Sequence, residues 1–477
     1  MTPDLRALVV SYAFPPVGGA GVQRVVKLVK YLPAHGATST VLTAANPSVP
    51  LRDPSLERDI PPGTAILRAR TLEPDYGTKR MAWTAAARER PGLLGRAERR
   101  LVSWGRQLLV PDPQVLWLPA AARTLAARLA AGADDVVFIS GPPFSQFLLA
   151  ALRRQPRTAV VLDYRDEWTA TRGVYEMGGA VRANAWVERT VLRRAHAVTT
   201  ATDAFRAELL SRFRFLDPGR VHAIPNGYDP EDFPTPLPAP PGDRFVLTYV
   251  GTVFRLTSAR GLLEAIRLLH EREPEIARLL EVRFVGRIVE TEAAAFEGMT
   301  ALGVRRLGYL DHGRALRELA RSHVVLCLLD DVPGAERIYP AKVFEIMYAG
   351  RPCLALTPEG ALARLVRDHA LGVVLPPRDP QAICAELVRR LRQFRDGCLV
   401  PPKRAIGLDA FHRRRLAGDF ARVFRDAVAF ARGPLVRTLE RSESSDDTPD
   451  ATVRTLERSE SSDETLDTMP ASHLWDG

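Results

Sequence analysis

Short apolar runs and amphipathic stretches alternate along most of the 477 residues. Leu5–Tyr12 is a nearly continuous apolar run, which suits a strand buried on both faces. A Gly-rich loop follows, then a helical stretch Val22–His35 and a strand Thr38–Thr43. Further strand-like runs are Ala65–Arg70, Asp135–Ile139, Ala159–Leu162, Ala197–Thr200 and Val221–Ile224, with helical periodicity between most of them. This βαβ alternation predicts a doubly wound parallel sheet. Tyr228–Asp243 breaks the pattern: six of its sixteen residues are Pro, so it reads as a stiff linker. A second alternation begins at strand Phe245–Val250 and runs through helix Gly261–Glu271 and strands Val282–Val285 and Val304–Leu307. It continues with helix Gly313–Ser322, strand Val324–Leu328, helix Pro340–Ala349, strands Pro352–Leu356 and Gly372–Leu375, and helix Pro380–Phe394. A last amphipathic helix is expected near Leu408–Ala431.

The expected fold class is α/β: two Rossmann-like doubly wound parallel-sheet domains, a cleft between them and a disordered acidic C-terminal tail. The expected divisions are residues 1–228, a linker at 229–243, a second domain at 244–407, a helix at 408–433 and a tail at 434–477. The tail contains VRTLERSESSDDTPDA from Val436 and VRTLERSESSDETLDT from Val453, two copies with too few apolar residues to bury.

Composition sharpens this picture. Hydrophobic residues are 46% and charged residues 26%, enough for packed cores. The net charge is +10, but from Val436 onward four Arg face eleven Asp/Glu. The body is therefore strongly basic, which suits nucleotides, phospholipids or nucleic acid as partners. Aromatics are only 7% and no nucleic-acid-binding signature is visible, so nucleic acid is not expected. Cys327, Cys353, Cys384 and Cys398 form no CxxC pair and read as reduced thiols. Apolar runs such as Val324–Leu329 are far too short to span a bilayer. The opening MTPDLRALVV lacks a signal-peptide pattern, and a cytoplasmic protein is expected.

Four segments carry candidate chemistry. In Tyr12–Gly21, the glycines Gly18, Gly19 and Gly21 leave backbone N–H groups open at a helix start, where a phosphate or sugar oxygen can approach. Leu162–Trp168 reads LDYRDEW and places Asp163, Arg165 and Asp166 at a strand edge, near the upstream SGPPFS. Tyr249–Gly261 follows the second domain's first strand and holds Arg255 and Arg260, two cations suited to a leaving diphosphate. Tyr339–Pro352 puts Lys342 in a first helical turn and Glu345 at i+3, on one face. A Lys at a helix start suits a diphosphate, and a Glu one turn deeper suits ribose hydroxyls. Each segment has a plainer reading: a Gly turn, a self-satisfied Asp–Arg pair, a solvated basic loop and a surface ion pair.

In this order, the segments FPPVGGAG, SGPPFS, DYRDEW, VHAIPNGYD, YVGT and PAKVFEIMYAGRP resemble those of the family-4 glycosyltransferases. These are retaining enzymes of the two-Rossmann (GT-B) fold, and the similarity is closest to bacterial members that build surface polysaccharides. It covers about residues 5–430. The resemblance implies sugar transfer from a nucleotide-diphosphate sugar to a hydroxyl of a saccharide or polyprenyl-linked acceptor, with no cofactor and no metal. It assigns Glu345 to the donor ribose, Arg260 and Lys342 to the diphosphate, and Gly18, Gly19 and Gly21 to the loop facing the donor. Many members carry a Glu where this chain has Arg337, and a His in the loop that here holds Arg165. Asp163, Arg165 and Asp166 become the candidates for organising the reacting centre.

Lys79–Arg106 contains eight Lys/Arg, two Glu, Trp83 and Trp104. It reads as an amphipathic segment for an anionic membrane surface, which would make the protein peripheral at the inner face. Two rival functions are a nucleotide-sugar 2-epimerase of similar fold and a non-catalytic partner subunit.

Overall fold

The computed structural model describes residues 4–49, 51–79, 109–152, 157–170, 181–399 and 404–433. The repeat tail and most of the basic segment Lys79–Arg106 lie outside the described residues.

The first domain is built on a seven-stranded sheet, all of whose pairs are parallel. Its strands are β1 (Leu5–Val10), β2 (Ala37–Ala44), β3 (Ala65–Ala69), β4 (Val136–Gly141), β5 (Ala159–Tyr164), β6 (Ala197–Thr200) and β7 (Val221–Ala223), in the order β3-β2-β1-β4-β5-β6-β7. The second holds β8 (Phe245–Val250), β9 (Leu280–Val285), β10 (Val304–Gly308), β11 (Val324–Leu328), β12 (Cys353–Leu356) and β13 (Gly372–Leu375). Their order is β10-β9-β8-β11-β12-β13, again parallel throughout. The central strands are Val/Ile/Leu-rich because helices cover both faces, so each strand buries both rows of side chains.

The helices that matter for the site are α1 (Ala20–Tyr31), α2 (Leu118–Ala130), α3 (Val181–Leu192), α4 (Asp203–Arg212), α5 (Arg260–Arg272), α6 (His312–Ala320), α7 (Lys342–Ala349), α8 (Ala361–Asp368), α9 (Pro380–Arg395) and α10 (Arg413–Arg432). Strand order reverses between β1 and β4 in one sheet and between β8 and β11 in the other. Loops that leave those strands part in opposite directions and open a crevice, the usual ligand site of such sheets. Three of the four segments singled out in the sequence follow β1, β8 and β11, and the fourth follows β5.

The last helix does not stand as a segment of its own. It crosses back and completes the first domain, where Phe420 and Phe424 pack on Phe138 at ring-centre distances of 5.5 and 5.2 Å. Its apolar face packs in one cluster with Val9 and Val161 of the sheet and Val26 of α1. The two chain segments that cross between domains run side by side. Tyr228 N donates to Phe411 O at 3.0 Å, and Arg413 N donates to Tyr228 O at 2.9 Å.

The Pro-rich segment is also more than a spacer, because its first residues are welded to the first domain. Lys27 on α1 is almost fully buried, and its Nζ lies 2.8 Å from Asp59, 2.7 Å from Asp229 and 2.6 Å from Asp232. Lys30 adds a second ammonium 2.8 Å from both Asp59 and Asp229. These three carboxylates converge closely enough to hold a metal ion, but the Lys27 ammonium occupies their meeting point.

Lys27→Met should therefore lower stability by about 3–5 kcal/mol at neutral pH, since it leaves buried charges uncompensated. Burial raises the carboxyls of Asp229 and Asp232. For Asp229 the ammonium of Lys27 outweighs it; for Asp232 a hydrogen bond from His312 and the Lys27 ammonium do so. Both sit below the ordinary carboxylate range, so they stabilise the fold above about pH 4 and lose that contribution as pH falls through their folded values. Denaturant titrations should show the deficit of the variant shrinking below about pH 4. A deficit that stays constant with pH would contradict this account.

Candidate functional site

The crevice between the two sheets is lined from the first domain by the loops after β1, β4 and β5. Gly19 caps α1 with φ 112°, a left-handed backbone that other residues avoid. A Cβ on Gly18 would stand 2.5 Å from the hydroxyl of Tyr309, and one on Gly21 would stand 2.2 Å from a guanidinium nitrogen of Arg165. The bare backbone of this loop is thus met by a tyrosine from the second domain and an arginine from the first. Arg165 Nε donates to Gly141 O at 3.2 Å, and its Nη2 donates to Pro142 O, so the loop after β4 fixes it. Asp166 beside it is half-buried.

Asp163 does not reach the crevice, contrary to the sequence expectation that it acts at the reacting centre. It lies within β5 with no exposed surface. Arg24 grips it from α1, with Nη2 at 2.8 Å and Nε at 3.1 Å, and the hydroxyls of Ser140 and Thr199 donate at 2.7 Å each. Burial raises this carboxyl, but Arg24 and the two hydroxyls outweigh it and hold it below the usual range. Asp163 is therefore a positioning residue. It fixes Arg24, which also donates to Ile224 O, Pro225 O and Asn226 Oδ1 beyond β7. Trp168, the end of the same segment, stacks on Phe144 in the core at 5.1 Å and 6°.

The second domain contributes the loops after β8, β10 and β11 and the start of α7. Glu345 is buried one turn into α7, with Lys342 Nζ 2.9 Å from its Oε2. The pair joins a half-buried ammonium to a buried carboxylate rather than lying on the surface. Glu345 Oε2 is thus ion-paired with the ammonium, and its Oε1 faces the His312 ring at 3.8 Å. Arg255 and Arg260, expected to meet a diphosphate, are both exposed. Arg260, at the start of α5, turns to the segment after β9, where Glu292 lies 3.3 Å from Nε and Thr291 O accepts from Nη2 at 2.9 Å. Gly261 next to it serves packing: a Cβ there would stand 2.0 Å from Pro377 O.

Sequence reasoning missed the residues that join the two domains. His312, at the start of α6, is buried. Its N–H donates to Asp53 Oδ2 at 2.9 Å, Gln23 Nε2 lies 3.0 Å from Nδ1, and Nε2 lies 3.2 Å from Asp232. A Gln amide donating to Nδ1 leaves the proton on Nε2, which then points to Asp232. Nε2 is also 3.8 Å from Glu345 Oε1, so one imidazole touches α1, the linker and the α7 carboxylate. Its one sequence signal was its place just after β10. The second join is Arg337, whose Nε and Nη2 meet Glu167 of the first domain at 2.5 and 2.9 Å. Thr202 Oγ1 donates to Arg337 O at 2.7 Å. Glu167 stood inside the DYRDEW segment but was not singled out.

Comparison with known proteins follows the same two-part division. Residues 18–227 match the family model "Glycosyl transferase 4-like domain", and residues 244–393 match "Glycosyl transferases group 1". A 115-residue stretch is 31% identical to alpha-maltose-1-phosphate synthase of Mycolicibacterium smegmatis, covering 22% of this chain and 29% of that protein. The protein of the same name from Mycobacterium tuberculosis is 30% identical over 187 residues, 36% of this chain and 47% of the relative. The chain therefore spans less than half the length of these curated relatives. Among solved structures, sucrose-phosphate synthase from Thermosynechococcus elongatus superimposes with a TM-score of 0.60 at 17% identity, over 89% of this chain and 99% of that one. At that identity the likeness speaks for the fold.

Arg337→Met would strand Glu167. Burial already raises the Glu167 carboxyl, and the hydrogen bonds from Arg337 only partly offset it. An acid raised on folding lowers stability as pH climbs from its unfolded value through its folded one. The variant should lose about 1.5–3 kcal/mol at pH 8 and less at pH 5. Adding Glu167→Gln should restore most of the loss. A pH-independent deficit that the double variant does not relieve would show that this pair does not join the domains.

Proposed function

The chain belongs to the family-4 glycosyltransferases of GT-B fold, and from that premise we propose that it moves a sugar from a nucleotide-diphosphate sugar to a hydroxyl of a saccharide or polyprenyl-linked acceptor, with the anomeric configuration retained. The observation that carries the reading is the buried Glu345 carboxylate one turn inside α7, paired with Lys342 of the helix's first turn. A pair of ribose hydroxyls is the donor set that suits it. The diphosphate would then lie at the N-terminus of α7, where uncovered N–H groups, the helix dipole and Lys342 favour negative charge. Arg255, exposed on the loop after β8, and Arg260, exposed at the start of α5, would close on the diphosphate after Arg260 leaves Glu292.

In this reading the transition state resembles an oxocarbenium ion, and charge grows on the departing diphosphate. Fixed donors aimed at that charge are worth roughly 2.7–4 kcal/mol each. The Gly18–Gly21 loop and Arg165 cover the crevice from the first domain and exclude water from the donor. The joins made by His312 and Arg337 keep the two halves in that register. The product is a saccharide or glycoconjugate of the kind used in polysaccharide biosynthesis.

A thermal-shift screen against nucleotide-sugars identifies the donor: at 100 times its Kd it should stabilise the protein by about 2.7 kcal/mol. With that donor, Glu345→Gln should weaken binding tenfold or more, about 1.4 kcal/mol by calorimetry. Product NMR should show the donor's anomeric configuration. Wild-type affinity in Glu345→Gln, or stabilisation by no nucleotide-sugar, would overturn the proposal.

A further inference from the structure

The outer face of α3 has no use in the reading above. Its inner face is tied to the loop after β5: Asn184 Oδ1 accepts from Trp168 Nε1 at 3.2 Å, and Glu188 accepts from the hydroxyl of Thr169. Glu188 is the only acid between Val181 and Arg194, and it is buried on that inner side. On the opposite side Arg182, Trp186, Arg189 and Arg193 follow one another at spacings of four, three and four residues. At 3.6 residues per turn they share a stripe about 60° wide. Arg193 stays in helical register, since its N–H donates to Arg189 O at 3.2 Å. All four are exposed, and Trp186 is 68% exposed. Phe215 lies alongside, 37% exposed, with the guanidinium of Arg189 5.7 Å and that of Arg193 5.1 Å from its ring centre. Arg194 and Arg214 are exposed nearby.

A row of arginines with two exposed rings and no exposed acid on the helix is complementary to a surface that is both anionic and apolar. Arginine heads pair with phosphates, and the Trp indole seats at the boundary between headgroups and acyl chains. No helix among the described residues is long and apolar enough to cross a membrane. We infer that the Arg182–Arg193 stripe with Phe215 is an anionic-lipid docking face. It deepens the proposed reaction by naming the surface that brings a polyprenyl-linked acceptor to the site. Because α3 hangs directly on the Arg165–Thr169 loop, docking there sets the crevice mouth next to the lipid surface.

The test uses the full chain and vesicles of phosphatidylcholine with or without phosphatidylglycerol, read by co-sedimentation. The protein should bind the anionic vesicles, release from them at high salt because the attraction is screened within about 10 Å at 0.1 M, and ignore the neutral ones. Arg182→Gln, Arg189→Gln and Arg193→Gln combined should lower partitioning about a hundredfold, which is about 1 kcal/mol for each basic residue lost. Trp186→Ala alone, at a site where folding demands little, should lower it severalfold. Calorimetry with the donor nucleotide-sugar should give wild-type affinity in both variants. Failure of that binding in the wild type would count against the reaction, whereas vesicle results alone decide the docking face. Equal partitioning of variants and wild type, equal binding to neutral vesicles, no binding at all, or tighter binding to a random DNA duplex than to anionic vesicles would each overturn the inference.

Discussion

Everything about the crevice leans on one buried ammonium. Lys27 draws Asp59, Asp229 and Asp232 together, and these come from the loop after β2 and from the segment that leaves the first domain. Asp232 in turn holds His312, and His312 stands beside Glu345. A chain of contacts therefore runs from a helix of one domain to the candidate donor carboxylate of the other. Three carboxylates at such spacing repel strongly in a low-dielectric setting, and only a cation among them makes the arrangement stable. That requirement fixes where the linker starts, and so how the second sheet faces the first.

The two sheets supply the rest. Both are parallel and both reverse strand order near their centre, so the crevice is a product of topology before any side chain is considered. The residues that line it fall into two kinds. Gly18 and Tyr309 shape it by mutual approach across the gap, and Arg165 packs on Gly21 from within the first domain. Lys342 gives it a positive charge in the same sense as the dipole at that helix end, and the Glu345 carboxylate stands against both.

Much of this was legible in the sequence because strands buried on both faces read as plain apolar runs. Phe245–Val250, Val324–Leu328 and Ala197–Thr200 were expected at the bounds the structure gives them. The positions of the Gly loop and of Lys342 and Glu345 after strand edges followed from the same alternation. What stayed hidden depends on pairings distant in sequence. Nothing near Lys27 announces Asp229 or Asp232, about 200 residues on. Arg260 was expected toward the crevice, but Glu292, 32 residues on, holds its guanidinium. Asp163 looked catalytic because it ends a strand in a motif with Arg165. Its alternation within β5 instead points it inward, to Arg24. Leu408–Ala431 showed an amphipathic helix but not which domain its apolar face would meet.

That last helix also bears on how the chain comes into being. The first domain's sheet is complete once residue 223 has been made, yet the cover over Phe138, Val9 and Val161 is supplied by residues near the other end of the chain. At about 5–20 residues per second, the ribosome needs roughly 10–40 s to add the intervening 200 or so residues. Throughout that interval an apolar sheet face waits without its lid, while the second domain is free to finish first. Maturation therefore runs opposite to the order of translation: the half that is synthesised earlier is the one that closes last.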